Sequence, residues 1–235
     1  MKKREKNNSN TINQSTPFLI TEAYKAARTN LMFMINKQEQ KRGVVFTSYL
    51  PMDGKSTTCV NMAITFAQTG AKILVIDADM RNPTAHELLQ VQAGPGLSDK
   101  LGGIVQEELC IYRTSVENLF LMPAGTQPPN PTELLLRRSM DELLDTLSPL
   151  FDYIFIDAPP IGLVTDAVVL GSKTDGVIFV VNGETTKKEY VRKMQNDLQL
   201  AGVNLIGCIL NSFNNANVFS KAKRNPHYKN YYGVN

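Results

Sequence analysis

The sequence predicts a doubly wound α/β domain, a mostly parallel β-sheet flanked by helices on both faces. Three observations carry that expectation. Short, near-continuous apolar runs recur along the chain; stretches of helical spacing alternate with them; and the first run leads through a glycine-lysine-serine turn into a helix. Strands buried on both faces lose the in-out alternation of a half-exposed sheet, and parallel neighbours are usually joined by helical crossovers.

Residues 1–17 are polar, rich in Asn, Ser and Thr, and end at Pro17, so a flexible arm is expected there. Ala23, Ala26, Ala27, Leu31, Phe33 and Met34 then recur at helical spacing, with Thr21 as N-cap. Buried strands are expected at 43–48, 72–77, 119–122, 152–157, 176–181 and 204–210, and helices at 55–69, 131–147, 162–172 and 186–201. Residues 123–131 form a proline loop whose last member, Pro131, suits the first turn of a helix. After Asn211 the chain turns Asn-rich, basic and aromatic. Residues 18–211 are thus expected to be a single folded domain, and 212–235 a flexible tail holding Tyr228, Tyr231 and Tyr232.

The apolar fraction of 43% over 235 residues excludes a disordered chain. No window approaches the roughly 18–20 consecutive apolar residues of a membrane span, and polar residues follow the basic N-terminus where a signal sequence needs an apolar stretch. A cytoplasmic protein is expected. The net charge of +3 divides unevenly: residues 1–17 carry +3, residues 212–235 carry +4, and the body between them carries −4. Bulk charge therefore does not suggest a nucleic-acid partner. Cys59, Cys110 and Cys208 have no C-x-x-C spacing and read as small apolar residues in or near a core; His86 and His227 show no metal pattern.

The strongest chemical signal is Ser48-Tyr-Leu-Pro-Met-Asp-Gly-Lys-Ser-Thr57, between the first buried strand and its helix. Backbone N–H groups at such a helix start cradle phosphates, the lysine reaches their terminal oxygens, and the hydroxyl binds Mg²⁺. Asp53, Gly54, Lys55, Ser56 and Thr57 are the expected nucleotide contacts. The pattern departs from G-x-x-x-x-G-K-[ST] at its first glycine, where Tyr49 stands. Asp77 ends the second strand with Asp79 two residues beyond it, and Asp157 ends another, so in an open α/β sheet all three converge on the loop. Ser56, Asp157 and Asp77 are candidate Mg²⁺ ligands, Lys55 the cation for the transferred phosphoryl group, and Asp77, then Asp79, the candidate base. Arg81 reads as a phosphate or subunit contact, or as a solvated arginine.

With these residues in hand, the chain resembles the bacterial protein-tyrosine kinases of capsule and exopolysaccharide synthesis, the CpsD/CapB type, within the MinD/ParA-like P-loop ATPases. The resemblance runs from about Glu22 to the terminal tyrosines. It rests on Pro51 to Thr57, Ile73-Leu-Val-Ile-Asp-Ala-Asp-Met-Arg-Asn-Pro83, Asp157-Ala-Pro-Pro160, Gly96-Leu-Ser98, Gly125 with Pro128-Pro-Asn-Pro-Thr-Glu-Leu-Leu135, and the tyrosine cluster. A P-loop NTPase fold is implied, with ATP and Mg²⁺ as cofactors and autophosphorylation in trans of Tyr228, Tyr231 and Tyr232. Also implied are a membrane adaptor of the polysaccharide co-polymerase type that recruits the chain to the inner membrane face, a ring-like homo-oligomer and a cognate tyrosine phosphatase. The ring motif falls on Glu22, Lys25 and Arg28, with Lys25 where the family has Arg, a change that loses bidentate pairing. Asn211 falls on the purine-contacting Asn, although a strand-ending turn residue reads equally well. Thr165-Asp166 falls near the γ-phosphate or simply caps a helix. Met52 replaces a family glycine and is strained if its φ is positive.

Two other functions fit the same loop. A MinD/ParA-like switch ATPase would need a lysine at the loop start, where Ser48 or Tyr49 stands, and usually a C-terminal amphipathic helix, for which the tail lacks apolar spacing. A nucleotide-binding scaffold without turnover is the other.

Overall fold

The computed structural model describes residues 11–35, 43–105 and 109–212. Its strands are β1 (Val44–Ser48), β2 (Ile73–Asp77), β3 (Tyr112–Arg113), β4 (Leu119–Met122), β5 (Tyr153–Asp157), β6 (Gly176–Asn182) and β7 (Leu205–Asn211). They form a seven-stranded sheet in the order β3-β4-β2-β5-β1-β6-β7, parallel throughout except for β3, which runs antiparallel to β4. The expected doubly wound α/β fold is the fold found. The two-residue β3 was not expected, being too short to leave a periodic signal.

The helices are α1 (Phe18–Met34), α2 (Lys55–Ala67), α3 (Ala85–Leu89), α4 (Leu97–Leu101), α5 (Pro131–Leu136), α6 (Arg138–Leu147), α7 (Asp166–Gly171) and α8 (Lys188–Leu200). Successive strand residues feed opposite cores. Val44, Phe46, Ile73, Val75 and Phe155 pack with Val60, Ile64 and Phe66 of α2 and Leu31 of α1. Val45, Leu74, Ile76, Ile154 and Phe179 pack with Leu135, Leu144, Leu170 and Met194 from α5 to α8. Burial on both faces explains why these strands read as unbroken apolar runs.

Several boundaries differ from expectation, each for a local reason. The expected flexible arm extends to Pro17, yet Ile12 is buried and its N–H donates to Asn61 Oδ1 at 2.8 Å, binding residues 11–16 against α2; residues 1–10 lie outside the described residues. Helix α1 starts at Phe18 and not after Thr21, because the Pro17 carbonyl accepts N–H bonds from Ile20 and Thr21. Phe18, Leu19 and Ile20 are consecutive apolar residues, which carry no helical period to mark this first turn, and Phe18 and Ile20 are exposed.

The expected helix 131–147 is two helices broken at Arg137, whose ψ of 150° is extended. At about 100° per residue, one continuous helix would set Leu134 and Leu135 on the side opposite Met140, Leu143, Leu144 and Leu147. The break turns both apolar sets toward the core. Residues 162–165 precede α7 and are not part of it, while α3 and α4 are single turns without a repeat to detect. Cys59 and Cys110 are buried, but Cys208 is exposed because β7 is an edge strand.

Candidate active site

The sheet order places β2, β5 and β1 side by side, with Asp77 paired to Asp157 and Asp157 to Phe46. Neighbouring strands lie about 4.8 Å apart, so three strand ends distant in sequence open onto one crevice. Lys55, the first residue of α2, projects into it. Its ammonium lies 2.8 Å from Asp79 Oδ2, 3.3 Å from Asp157 Oδ1 and 3.1 Å from Ser56 Oγ.

The phosphate loop is tied at several points. The Ile161 N–H donates to the Ser48 carbonyl at 2.9 Å, and the Leu50 N–H to Asp53 Oδ2 at 3.0 Å. Thr185 Oγ1 donates to Asp53 Oδ1 at 3.1 Å, and Asn211 Nδ2 donates to the Asp53 carbonyl at 3.0 Å. Gly54 has a φ of 90°, and a Cβ there would lie 2.0 Å from Asn211 Nδ2, so only glycine passes. Met52 has a φ of 64°, the strained alternative, and its side chain is 97% exposed. The loop thus presents the α2 N-terminus, where N–H groups and the helix dipole favour anions.

Asp77, Asp79 and Asp157 are all buried, and they differ in their partners. Asp79 pairs with Lys55 and accepts the Asn82 N–H at 3.0 Å. Asp157 faces Lys55 and the Ser56 hydroxyl. Asp77 makes no direct hydrogen bond to the lysine; its oxygens accept backbone N–H groups of Asp79, Thr84 and Ala85 at 3.2, 3.1 and 3.0 Å. Burial and the adjacent Asp157 carboxylate push the Asp77 carboxyl up to about 8. Burial also raises Asp157, outweighing the Lys55 ammonium and the Ser56 hydroxyl. For Lys55, burial alone would lower the pKa, but the carboxylates of Asp157 and Asp79 prevail and keep the ammonium protonated above the ordinary lysine range.

The remaining sequence-marked residues divide between this crevice and other parts of the domain. Asn211 comes to the phosphate loop, holding its backbone. Asp53 turns its carboxylate inward as a brace for residues 50 and 185, leaving its backbone on the loop. Arg81 is tied down, its Nε 3.5 Å from Asp166 Oδ2 and its NH2 3.2 Å from Thr132 Oγ1. Thr132 also donates to Asp166, which is fully buried, so the Thr165-Asp166 segment anchors α5 and α7.

Gly96, Ser98 and Gly125 form a second lock. Asp99 accepts N–H bonds from Gly96 and Thr126, and a Cβ on Gly96 would lie 2.1 Å from the Pro123 carbonyl oxygen. On α1, Lys25 pairs with Glu22 at 2.8 Å, while Arg28 NH1 donates to the Thr65 carbonyl in the last turn of α2 at 2.6 Å. Tyr228, Tyr231 and Tyr232 lie outside the described residues.

Sequence reasoning missed Thr185 and Tyr190, which belong to no motif, and gave no role to Thr132, although it lies within the Pro128 to Leu135 motif. Tyr190 of α8 stacks on Tyr49 with ring centroids 4.3 Å apart and planes 6° from parallel. The one available signal was Tyr49 itself, a bulky ring where the loop pattern has glycine.

The donor set suits a Mg²⁺-nucleotide. Among the described residues no group of three or more His, Cys, Asp or Glu side chains could hold a metal ion by itself. Mg²⁺ at phosphates needs only one or two protein oxygens, the rest coming from phosphate and water. The Ser56 hydroxyl and the Asp157 carboxylate, both beside the buried Lys55 ammonium, are oxygens of the kind such an ion takes.

Residues 52–204 match the AAA domain family. The tyrosine-protein kinase YwqD of Bacillus subtilis (strain 168) is 37% identical over 193 residues, covering 82% of this chain and 81% of that protein. The kinase domain of the Escherichia coli tyrosine kinase ETK superposes with a TM-score of 0.78 at 32% identity, covering 85% of this chain and 81% of that one. The septum site-determining protein MinD from Pyrococcus horikoshii OT3, complexed with Mg-ADP, superposes with a TM-score of 0.63 at 27% identity, covering 73% of this chain and 70% of that one. The phosphate loop on a parallel sheet, the buried lysine among strand-end carboxylates, and kinases alike over four-fifths of the chain converge: this chain belongs to the bacterial tyrosine-protein kinases and is a P-loop enzyme of that family.

Proposed function

We propose that the protein transfers the γ-phosphoryl group of ATP, with Mg²⁺, to Tyr228, Tyr231 and Tyr232 of a neighbouring copy, and that this cycle regulates capsular or exopolysaccharide synthesis or export. The observation that carries the proposal is the Lys55 ammonium held between Asp79 and Asp157 at the start of α2. Lys55, the Gly54 to Thr57 backbone and the helix N-terminus bind the phosphates. Ser56 and Asp157 would hold Mg²⁺, which when bound offsets charge on the phosphate oxygens. Asp79 accepts the tyrosine hydroxyl proton. Asp77 positions Asp79 through its backbone bond, because its oxygens are already engaged with amides of residues 79, 84 and 85. Asn211 supports the loop, its amide being committed to the Asp53 carbonyl.

The charge pattern supports a substrate in the tail. A body of −4 attracts a +4 segment ending in tyrosines, and each phosphate added, about −1.5 to −2 charges, reverses that attraction. No described helix is long and apolar enough to cross a membrane. In this reading, work at the membrane falls to an adaptor of the polysaccharide co-polymerase type, and resetting falls to a tyrosine phosphatase. Ring assembly through α1 would exchange the Glu22–Lys25 pair for contacts between subunits.

The test is phosphotyrosine mapping by mass spectrometry after incubation with ATP and Mg²⁺, with and without a candidate adaptor tail. Lys55→Met and the triple Tyr→Phe change at 228, 231 and 232 should each abolish tail modification. ATP hydrolysis without any phosphotyrosine would overturn the proposal.

A further inference from the structure

The phosphate loop is held from outside its own motif. Tyr49 is 8% exposed although it sits in a surface loop, and its burial needs both a platform and clearance. Tyr190 supplies the platform through its ring stack, and the Lys187 ammonium lies 5.7 Å from the Tyr190 ring centroid. Gly162 supplies the clearance: a Cβ there would lie 2.4 Å from the Tyr49 carbonyl oxygen and 2.9 Å from its ring. Four residues further along the loop, Thr185 bonds the Asp53 carboxylate from the segment just before α8. The α8 region thus grips the loop near both ends. Between the two grips lies Met52, whose φ of 64° a methionine adopts only where its surroundings impose it.

We infer that Tyr190, acting through its stack on Tyr49 and assisted by Thr185, is a positioning residue for the ATP phosphates, one that keeps the strained loop in its phosphate-receiving shape. The inference rests on the reading of this loop as the ATP site. A loop freed at one end relaxes Met52 toward negative φ and turns the amides of residues 52–54 out of register with the phosphates. Its role therefore belongs to nucleotide binding more than to the chemical step. It also makes α8, which carries none of the phosphate-site residues, a part of the site from which nucleotide affinity can be tuned.

Isothermal titration of the full chain with Mg-ADP, together with autophosphorylation rates over a range of ATP concentrations, tests it. Aromatic pairs of this kind are worth about two- to tenfold in an equilibrium constant. Tyr190→Leu, which keeps apolar cover on α8 but no flat ring, should weaken ADP binding by about that factor and raise KM for ATP more than it lowers kcat. Tyr190→Phe should restore wild-type affinity. Tyr49→Leu added to Tyr190→Leu should cost little more, since either change alone breaks the stack. Unchanged ADP affinity in Tyr190→Leu, a loss confined to kcat, or failure of Phe to rescue would overturn the inference. Should Tyr190→Leu lack a cooperative thermal transition, Thr185→Val at its exposed position decides in its place: weakened ADP binding upholds the clamp and unchanged binding overturns it. A wild-type chain that binds no ADP would refute the nucleotide reading and the clamp together, whereas wild-type binding with unaffected variants refutes the clamp alone.

Discussion

Met52→Gly should stabilise the protein, a rare outcome for a substitution inside an active-site loop. Met52 sits at φ 64°, where an L-residue sets its Cβ against the following carbonyl. That costs about 1–2 kcal/mol. The side chain is 97% exposed, so its removal forfeits almost no packing. Glycine adopts the angle freely but loses more chain entropy on folding, about 0.5–1 kcal/mol. The difference is a net gain of about 0.5–1 kcal/mol. For a domain of this size, that moves Tm upward by about 1–4 °C. Thermal unfolding followed by circular dichroism, with urea titration as a second measure, reads the change. Met52→Ala is the control: it keeps the Cβ and the strain, so its Tm should stay near wild type. A drop in Tm for Met52→Gly, or a rise for Met52→Ala equal to that for glycine, would refute the strain argument.

Three further outcomes follow from the geometry. Gly54→Ala should abolish ADP binding in calorimetry and destabilise the fold by about 2 kcal/mol or more, because the new Cβ meets Asn211 and the angle of 90° is strained; Asn211→Ala should recover part of the loss by removing the obstructing amide. Arg81→Ala leaves the buried Asp166 without its cation and should cost about 2 kcal/mol in urea unfolding, with Asp166→Asn added to it restoring part of that. Asp99 is held below the usual carboxylate range: burial opposes this, but N–H bonds from Gly96 and Thr126 prevail. Its stabilisation is present above its unfolded pKa of about 3.9 and is lost as pH falls through the lower folded value. Asp99→Asn should therefore lower Tm at neutral pH and flatten the acid limb of the stability profile below about pH 4.

How much of the site was legible depended on distance along the chain. The two acidic strand ends were visible because each closes an apolar run, and Lys55 and Ser56 because they follow Gly54 in a phosphate-loop pattern at a helix start. The division of labour among the acids was not visible. The sequence put Asp77 ahead of Asp79 as the base, yet Asp77 is occupied by amides of Asp79, Thr84 and Ala85 while Asp79 reaches the lysine. Arg81 read as a phosphate contact, a subunit contact or a solvated arginine until the fold brought Asp166 and Thr132 beside it, from 85 and 51 positions away. The broken helix at Arg137 was encoded in the phase of its leucines, but periodicity within a short window does not register a phase reversal.

Local pattern by itself determined the strands other than β3, most helices and the phosphate loop, since these arise from burial on both faces of a sheet and from backbone chemistry within a few residues; the family rested on a resemblance of motifs. Only the tertiary structure decided which strand lies between which. The insertion of β5 between β1 and β2 sets Asp157 beside Asp77 and Lys55. It also decided what holds the loop: Tyr190 arrives from α8, Thr185 from the segment before α8 and Asn211 from β7, each more than a hundred residues away. Such partners leave no spacing to read, because a ring stack or a single hydrogen bond across the fold imposes no period on either segment it joins.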